Sequence, residues 1–414
     1  MVNLLIQALT LISGLVVNFV IPGLYGLEAY GEFIKANVLV FLFQKLLDII
    51  NEQLLASVEP EHILVTSLFM ASLIFLLFSG LSQLTDLGNP LLLSVMLLSS
   101  ACLLSLFGLR LYRWIVGYLI LFLGVFFAAL FVSHQNIWPL SIVDILCLTN
   151  LIPCLLALVA LFTHGAKLPL GKQLGSTLWQ VITLLPRMIS ITLFFNLFTN
   201  ILPYILSKIL PVRELGLFRV IVSIIQSATS LFPINVRAVF VSFISGGQRQ
   251  EQYRIIMSIA VMYFALVGLF GYFVSWLFPK YSGYLALLPC LPVLYWAVVT
   301  ERYLIASGFH RRVIAINVSL GCIAVVCMVF FVQGLEAAKV FYALGFSAYL
   351  LTLHLFCRPG IQLPVIFWVA ILSPLSIVMA NVSLIWGIFY MCSLLIIATW
   401  TLRLRLADFR KLRF

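Results

Sequence analysis

The sequence predicts an all-α polytopic membrane protein with about fourteen transmembrane helices. They form two pseudo-symmetric six-helix lobes followed by two C-terminal helices. Three observations carry this expectation. Only 9% of the 414 residues are Asp, Glu, Lys or Arg, against roughly 25% in a soluble domain. Hydrophobic residues make up 64% of the chain and the mean hydropathy is +1.18. Apolar runs, each near the ~20 residues that cross a bilayer, follow one another with short polar breaks.

In chain order the expected spans lie at about 4–23, 31–52, 63–83, 90–109, 114–133, 138–162, 178–210, 214–244, 255–278, 282–305, 313–333, 337–356, 363–381 and 383–402. The first run has no basic segment before it and no small-residue cleavage site after it, so it is read as a span rather than a signal peptide. Turn residues separate the spans: Val58-Glu59-Pro60, Asp86-Leu87-Gly88-Asn89-Pro90, Ser245-Gly246-Gly247, Ser307-Gly308 and Arg358-Pro359-Gly360. The seventh and eighth runs exceed a bilayer's thickness and are expected to contain kinks or interfacial turns, with Pro186 and Pro203 as candidate kink sites.

Basic residues orient the chain. With the N-terminus in the cytoplasm, the cytoplasmic segments hold Arg110, Arg113, Lys167, Lys172, Arg249, Arg254, Arg311, Arg312 and Arg358, plus the basic tail after Arg403. The opposite side keeps Arg213, Lys280 and Lys339, with Lys208 nearby. This asymmetry puts both termini in the cytoplasm. It also accounts for the net charge of +11 without nucleic acid as a partner.

No polar run is long enough to fold outside the bilayer, which excludes a soluble catalytic domain. No P-loop motif, HExxH or CxxC occurs, so no catalytic residue, metal or cofactor is expected. The eight cysteines lie among Leu, Val and Ile and are read as small apolar fillers.

A weak internal repeat runs through the chain. Glu28-Ala-Tyr-Gly31-Glu-Phe33 opens the second span and Arg213-Glu-Leu-Gly216-Leu-Phe218 opens the eighth. Each follows a span ending near a proline, Pro22 or Pro211. The expected organisation is an N-terminal lobe over 1–163, a basic cytoplasmic linker over 164–177, a C-terminal lobe over 178–358, and two added helices with a basic tail over 359–414.

Polar residues inside spans are costly and face a bundle interior or a watery cavity. At helical spacing, Asn3, Gln7, Thr10, Gly14 and Asn18 share one stripe. Asn37, Gln44, Asp48 and Asn51 share another, flanked by Lys45 and Glu52. Arg219, Ser223, Gln226, Ser230 and Arg237 form a third. Aligning Gly31 with Gly216 puts the second and third stripes on nearly the same face, as if both helices lined one cavity. The seventh span adds Thr183, Arg187 and Ser190, then Asn196, Thr199 and Asn200. Two readings stand side by side for these groups: helix-packing hydrogen bonds and interfacial ion pairs, or a binding site. Lys35 points away from its stripe and is read as snorkelling. Asp144 is a candidate partner for a deep arginine.

Gly-Leu-Glu-Ala-Tyr-Gly-Glu-Phe before a long helix with Asp48 near its end resembles the start of polysaccharide-export flippases of the multidrug/oligosaccharidyl-lipid/polysaccharide superfamily. Leu184-Leu185-Pro186, Asn200, Glu214-Leu-Gly216-Leu-Phe218-Arg219 and Ala306-Ser-Gly308 extend the resemblance over most of the first twelve spans. One departure is that Ile21-Pro22-Gly23 stands where the family often has an arginine. The resemblance implies a flippase in the bacterial cytoplasmic membrane, acting by alternating access on an undecaprenyl-pyrophosphate-linked repeat unit of O-antigen or another surface polysaccharide. Its partners would be the lipid-linked oligosaccharide, membrane lipids and other polysaccharide-assembly proteins. On this reading Arg187, Arg219, Lys45 and Arg237 hold phosphate or acidic sugars. Gln44, Gln226, Asn18 and Asn200 bond sugar hydroxyls, and Asp48 shares their stripe. The alternatives are an ion-coupled exporter of the same superfamily, which would need deep acidic residues, and a membrane glycosyltransferase or polymerase, which would need a carboxylate-bearing catalytic loop.

Overall fold

A chain in hydrocarbon must satisfy its backbone N–H and C=O groups internally, which favours helices. The described residues are helical almost throughout, and none of them forms a strand. The computed structural model describes residues 2–85, 87–135, 137–164, 201–230, 249–278, 283–357, 363–380 and 384–401, with isolated positions between 175 and 198. Its helices are α1 (Val2–Ser57), α2 (Ile63–Thr85), α3 (Pro90–Gly108), α4 (Tyr112–His134), α5 (Ile142–Thr163), α6 (Leu202–Ile209), α7 (Val212–Ser230), α8 (Arg249–Leu277), α9 (Leu291–Ala306), α10 (His310–Phe331), α11 (Leu335–Cys357), α12 (Leu363–Ala380) and α13 (Leu384–Thr401).

Among the described residues, nine helical segments are long and apolar enough to cross a membrane. Eight of the nine follow the third to sixth and ninth to twelfth expected spans, from Pro60–Thr85 to Ile142–Thr163 and from Arg249–Leu277 to Leu335–Cys357. Their outward faces carry large apolar side chains such as Leu84, Phe131, Phe330 and Phe331, the surface a lipid-facing helix presents. The chain is a multi-pass membrane protein. The linker over 164–177 falls almost wholly outside the described residues, as does most of the seventh expected span.

The chain divides into two units, Met1–Gly216 and Leu217–Phe414. In the first, α3 packs on α1, α2 and α5, and α4 packs on α1 and α5. Buried Cys102, Ile115, Tyr118, Cys154 and Leu161 form one of its core clusters. In the second, α8 packs on α9 and α13, and α11 packs on α9, α10 and α12. All eight cysteines are free, and Cys102, Cys147, Cys154, Cys290 and Cys357 are buried as apolar fillers.

The first two expected spans lie within Ala8–Asp48, which breaks into two helices inside the expected turn over 22–31. The break is confined to Gly26, at φ 86° and ψ 157°, a conformation that glycine adopts without steric cost. Farther on, the expected continuous helix kinks at Asn37, at φ −116° and ψ 17°. The Asn37 amide donates to Phe33 O at 3.0 Å. Its Oδ1 accepts from Asn89 N–H at 3.2 Å. Gly88 N–H donates to Ala36 O at 2.6 Å. The turn before α3 thereby supplies partners at the kink, and Asn89 also caps α3 by accepting from Leu92 N–H at 3.0 Å. Pro203 stands in the first turn of α6, which directly follows Ile201, helical in the wider π pattern, so its missing N–H falls where the helical hydrogen-bonding changes, at an expected kink site.

Within the first unit the two glycines of the repeat pack on each other. A Cβ on Gly31 would lie 1.9 Å from Val212 O, and one on Gly216 would lie 2.5 Å from Leu27 O and 3.2 Å from Gly31 N. Only backbone fits at this crossing of α1 and the start of α7.

Candidate functional site

The polar stripe of α1 divides by burial. Asn37 and Asn51 are buried, at 4% and 3% exposure, and belong to the packing. Gln44 and Asp48 between them are half-buried. Asp48 Oδ2 accepts from Lys45 Nζ at 2.9 Å, an i,i+3 ion pair whose side chains are 33% and 50% exposed. Asp48 Oδ1 accepts from Ser100 Oγ on α3 at 2.7 Å. Ser100 Oγ in turn accepts from Asn51 Nδ2 at 3.1 Å. Asn51 Oδ1 accepts from Ser67 Oγ on α2 at 2.7 Å.

Each hydrogen in this chain, from Ser67 through Asn51 and Ser100, points towards the Asp48 carboxylate. Bonds directed the same way polarise one another, so each strengthens the next and the carboxylate is held in one place. Gln44 lies one helical turn before Asp48 on the same face and makes no hydrogen bond to a described residue.

Asn18 behaves differently. Its Nδ2 donates to Gly14 O at 2.7 Å, and its Oδ1 accepts from Tyr30 Oη at 3.1 Å. Half of its hydrogen-bonding capacity is thus spent inside α1. Asp144, expected as a partner for an arginine, is instead part of a helix cap. Its Oδ2 accepts from Ser141 Oγ at 2.6 Å and Ser141 N–H at 3.0 Å, while Ser141 Oγ accepts from Asp144 N–H at 3.2 Å. This reciprocal box satisfies backbone donors at the start of α5. Lys35 is exposed.

In the second unit Arg219 and Gln226 are both half-buried on one face of α7, with buried Ser223 between them. Arg219 lies close enough to Tyr342 of α11 to act on its hydroxyl electrostatically. The predicted residues Arg187, Asn200 and Arg237 lie outside the described residues. So the structure brings Gln44, Lys45 and Asp48 together, and sets Arg219 and Gln226 along one helix face.

Sequence reasoning passed over a buried node in the second unit. Glu301 of α9 is 5% exposed and accepts from the Tyr349 hydroxyl of α11, beside which lies the amide of Asn317 of α10. The neighbouring Thr300 shares a hydrogen bond of 2.6 Å with Tyr253 of α8. Tyr253 Oη lies 3.4 Å from His354 Nε2. His354 Nδ1 lies 2.9 Å from Leu350 O. A carbonyl only accepts, so Nδ1 carries the hydrogen and Nε2 is left to accept from Tyr253. The signal for this node was the pair Thr300-Glu301 five residues before the end of α9. It resembles ordinary interfacial charge until the neighbouring helices are in place.

Comparisons of the chain with known protein families, with curated proteins and with solved structures find no match.

Proposed function

We propose that this protein is a flippase that carries an undecaprenyl-pyrophosphate-linked oligosaccharide repeat unit, of O-antigen or another surface polysaccharide, across the bacterial cytoplasmic membrane by alternating access. The full architecture proposed is fourteen spans with cytoplasmic termini, six in each lobe and two added at the C-terminus. The observation that carries the proposal is the set of cationic and amide side chains placed in otherwise apolar helices: exposed Lys45 and half-buried Gln44 on α1, half-buried Arg219 and Gln226 on α7. A pyrophosphate needs cations and a glycan needs amide donors and acceptors, while the polyprenyl tail can stay in lipid. The resemblance of the Gly31 and Gly216 segments to polysaccharide-export flippases supports the same reading.

The test is translocation of a fluorescent polyprenyl-pyrophosphate oligosaccharide in proteoliposomes containing the purified protein. Protein-dependent movement between leaflets is expected. Movement no faster than in empty liposomes would overturn the proposal.

A second reading, an ion-coupled exporter of small molecules, gains from one specific observation. Glu301 is a buried acid within a helical span, the kind of group a coupling site uses. Drug efflux from cells overproducing the protein, abolished by Glu301→Gln, would favour that reading.

A further inference from the structure

The Lys45–Asp48 pair joins two unlike partners. Lys45 is a flexible four-carbon arm with its side chain 50% exposed. Asp48 is held through Ser100 and buried Asn51 to Ser67, which is fully buried, so three helices contribute to its position. A lone i,i+3 pair at an interface contributes little and needs no such backing. Here the carboxylate is fixed from behind, and the ammonium is the part that can leave.

We infer that Asp48 is a built-in counter-ion that occupies Lys45 in the empty protein and yields it to an anionic phosphate of the substrate. This rests on the flippase reading above and adds a subsite to it. The ligand class is a lipid-linked pyrophosphate. When it binds, the Lys45 ammonium swings from Asp48 Oδ2 to a phosphate oxygen, and Asp48 keeps its bond from Ser100. No proton moves and no covalent bond changes. Gln44, on the same face and without a hydrogen bond to a described residue, stands beside the exchange as a donor to the phosphate or the first sugar. The carboxylate thereby lowers affinity, because a phosphate must displace it from Lys45. That weakening suits a carrier, which must release its cargo on the far side.

The inference predicts a sign opposite to that of an ordinary binding residue. Asp48→Asn keeps an oxygen to accept from Ser100 but removes the charge competing for Lys45. Full-length protein in phosphatidylcholine nanodiscs would be titrated with polyprenyl pyrophosphate and, separately, with inorganic pyrophosphate, read by thermophoresis. An exposed ion pair of ordinary strength corresponds to about a two- to fivefold change. Asp48→Asn should therefore tighten polyprenyl pyrophosphate binding by about that factor, and Lys45→Ala should weaken it by a similar one. The double variant should match Lys45→Ala, because Asp48 acts through Lys45. Lys35→Ala serves as the control for loss of a basic residue elsewhere on α1.

Unchanged or weaker binding by Asp48→Asn, while the unmodified protein binds, overturns the counter-ion role and leaves the flippase reading standing. A further fall from Lys45→Ala to the double variant also overturns it, since Asp48 would then touch the ligand itself. Misfolding of Asp48→Asn, seen as aggregation on gel filtration, assigns the carboxylate a structural role and has the same consequence. Equal affinity for inorganic pyrophosphate overturns the lipid-linked assignment. No binding of either probe by the unmodified protein removes the flippase reading and the subsite together.

Discussion

Replacing Gly31 with alanine tests the close backbone crossing of α1 and the start of α7 within the first unit. The new Cβ would lie 1.9 Å from Val212 O and 2.8 Å from Val212 C, both backbone atoms in the first turn of α7. Carbon and carbonyl oxygen ordinarily approach no closer than ~3.3 Å, so the helices must part by roughly 1.4 Å or tilt. Neither neighbour is the free end of a side chain, so relief means moving a helix. Overpacking of this kind costs about 1–3 kcal/mol, and a backbone clash belongs at the upper end. Alanine recovers about 1 kcal/mol of helix propensity, leaving a net loss near 2 kcal/mol.

Gly124 is the internal control. It is exposed within α4, and nothing lies within 4 Å of the place an added methyl would take. Gly124→Ala should be neutral or stabilising by up to about 1 kcal/mol. In detergent, with a thiol-reactive dye reporting unfolding, Gly31→Ala should melt several degrees below Gly124→Ala, at roughly 2–4 °C per kcal/mol for a unit of this size. Equal melting temperatures for the two variants would refute the crossing as described. Gly216→Ala, whose methyl would meet Leu27 O at 2.5 Å, should fall on the side of Gly31→Ala.

Further outcomes can be stated briefly. Ser141→Ala removes one arm of the α5 capping box and should destabilise by about 0.5–2 kcal/mol, seen as faster hydrogen exchange in the first turn of α5. Tyr349→Phe withdraws a donor from the buried Glu301 carboxylate and should lower stability by about 1–3 kcal/mol; an unchanged melting temperature would show that this bond contributes nothing. Arg219→Ala should abolish surface polysaccharide display in a complementation assay at normal membrane expression, with Arg219→Lys intermediate because a lysine lacks the paired geometry of guanidinium. Lys35→Ala should display normally. A cysteine placed after Arg413 should resist an impermeant thiol reagent in intact cells, and its labelling would reverse the proposed orientation.

Features that depend on neighbours along the chain were legible from the residues alone. Bilayer thickness sets a run length, and excluding charge from hydrocarbon makes that run visible in composition, so eight spans could be placed from Pro60 to Cys357. The ingredients of the α5 cap, Ser141 and Asp144, stand three residues apart, so their bonding is local, and it occupies the carboxylate that the sequence alone offers to an arginine. Features that depend on which helices meet emerged only with the packed chain. Helices apolar all round carry little periodic signal to tell a packed face from a lipid-facing one. Asp48 looked like half of an interfacial pair until α3 brought Ser100 to it and α2 brought Ser67 to Asn51. In the sequence Glu301 is one charge near the end of a helix, and only α11 covers it, with Tyr349. Gly31 and Gly216 were legible as a repeated pair, but their contact was not, because a glycine needed for close approach leaves the same mark in sequence as a glycine facing open space. In a bilayer, the hydrophobic effect does not choose among helix pairings; close backbone approach and buried hydrogen bonds do, and both exist only once the helices have met.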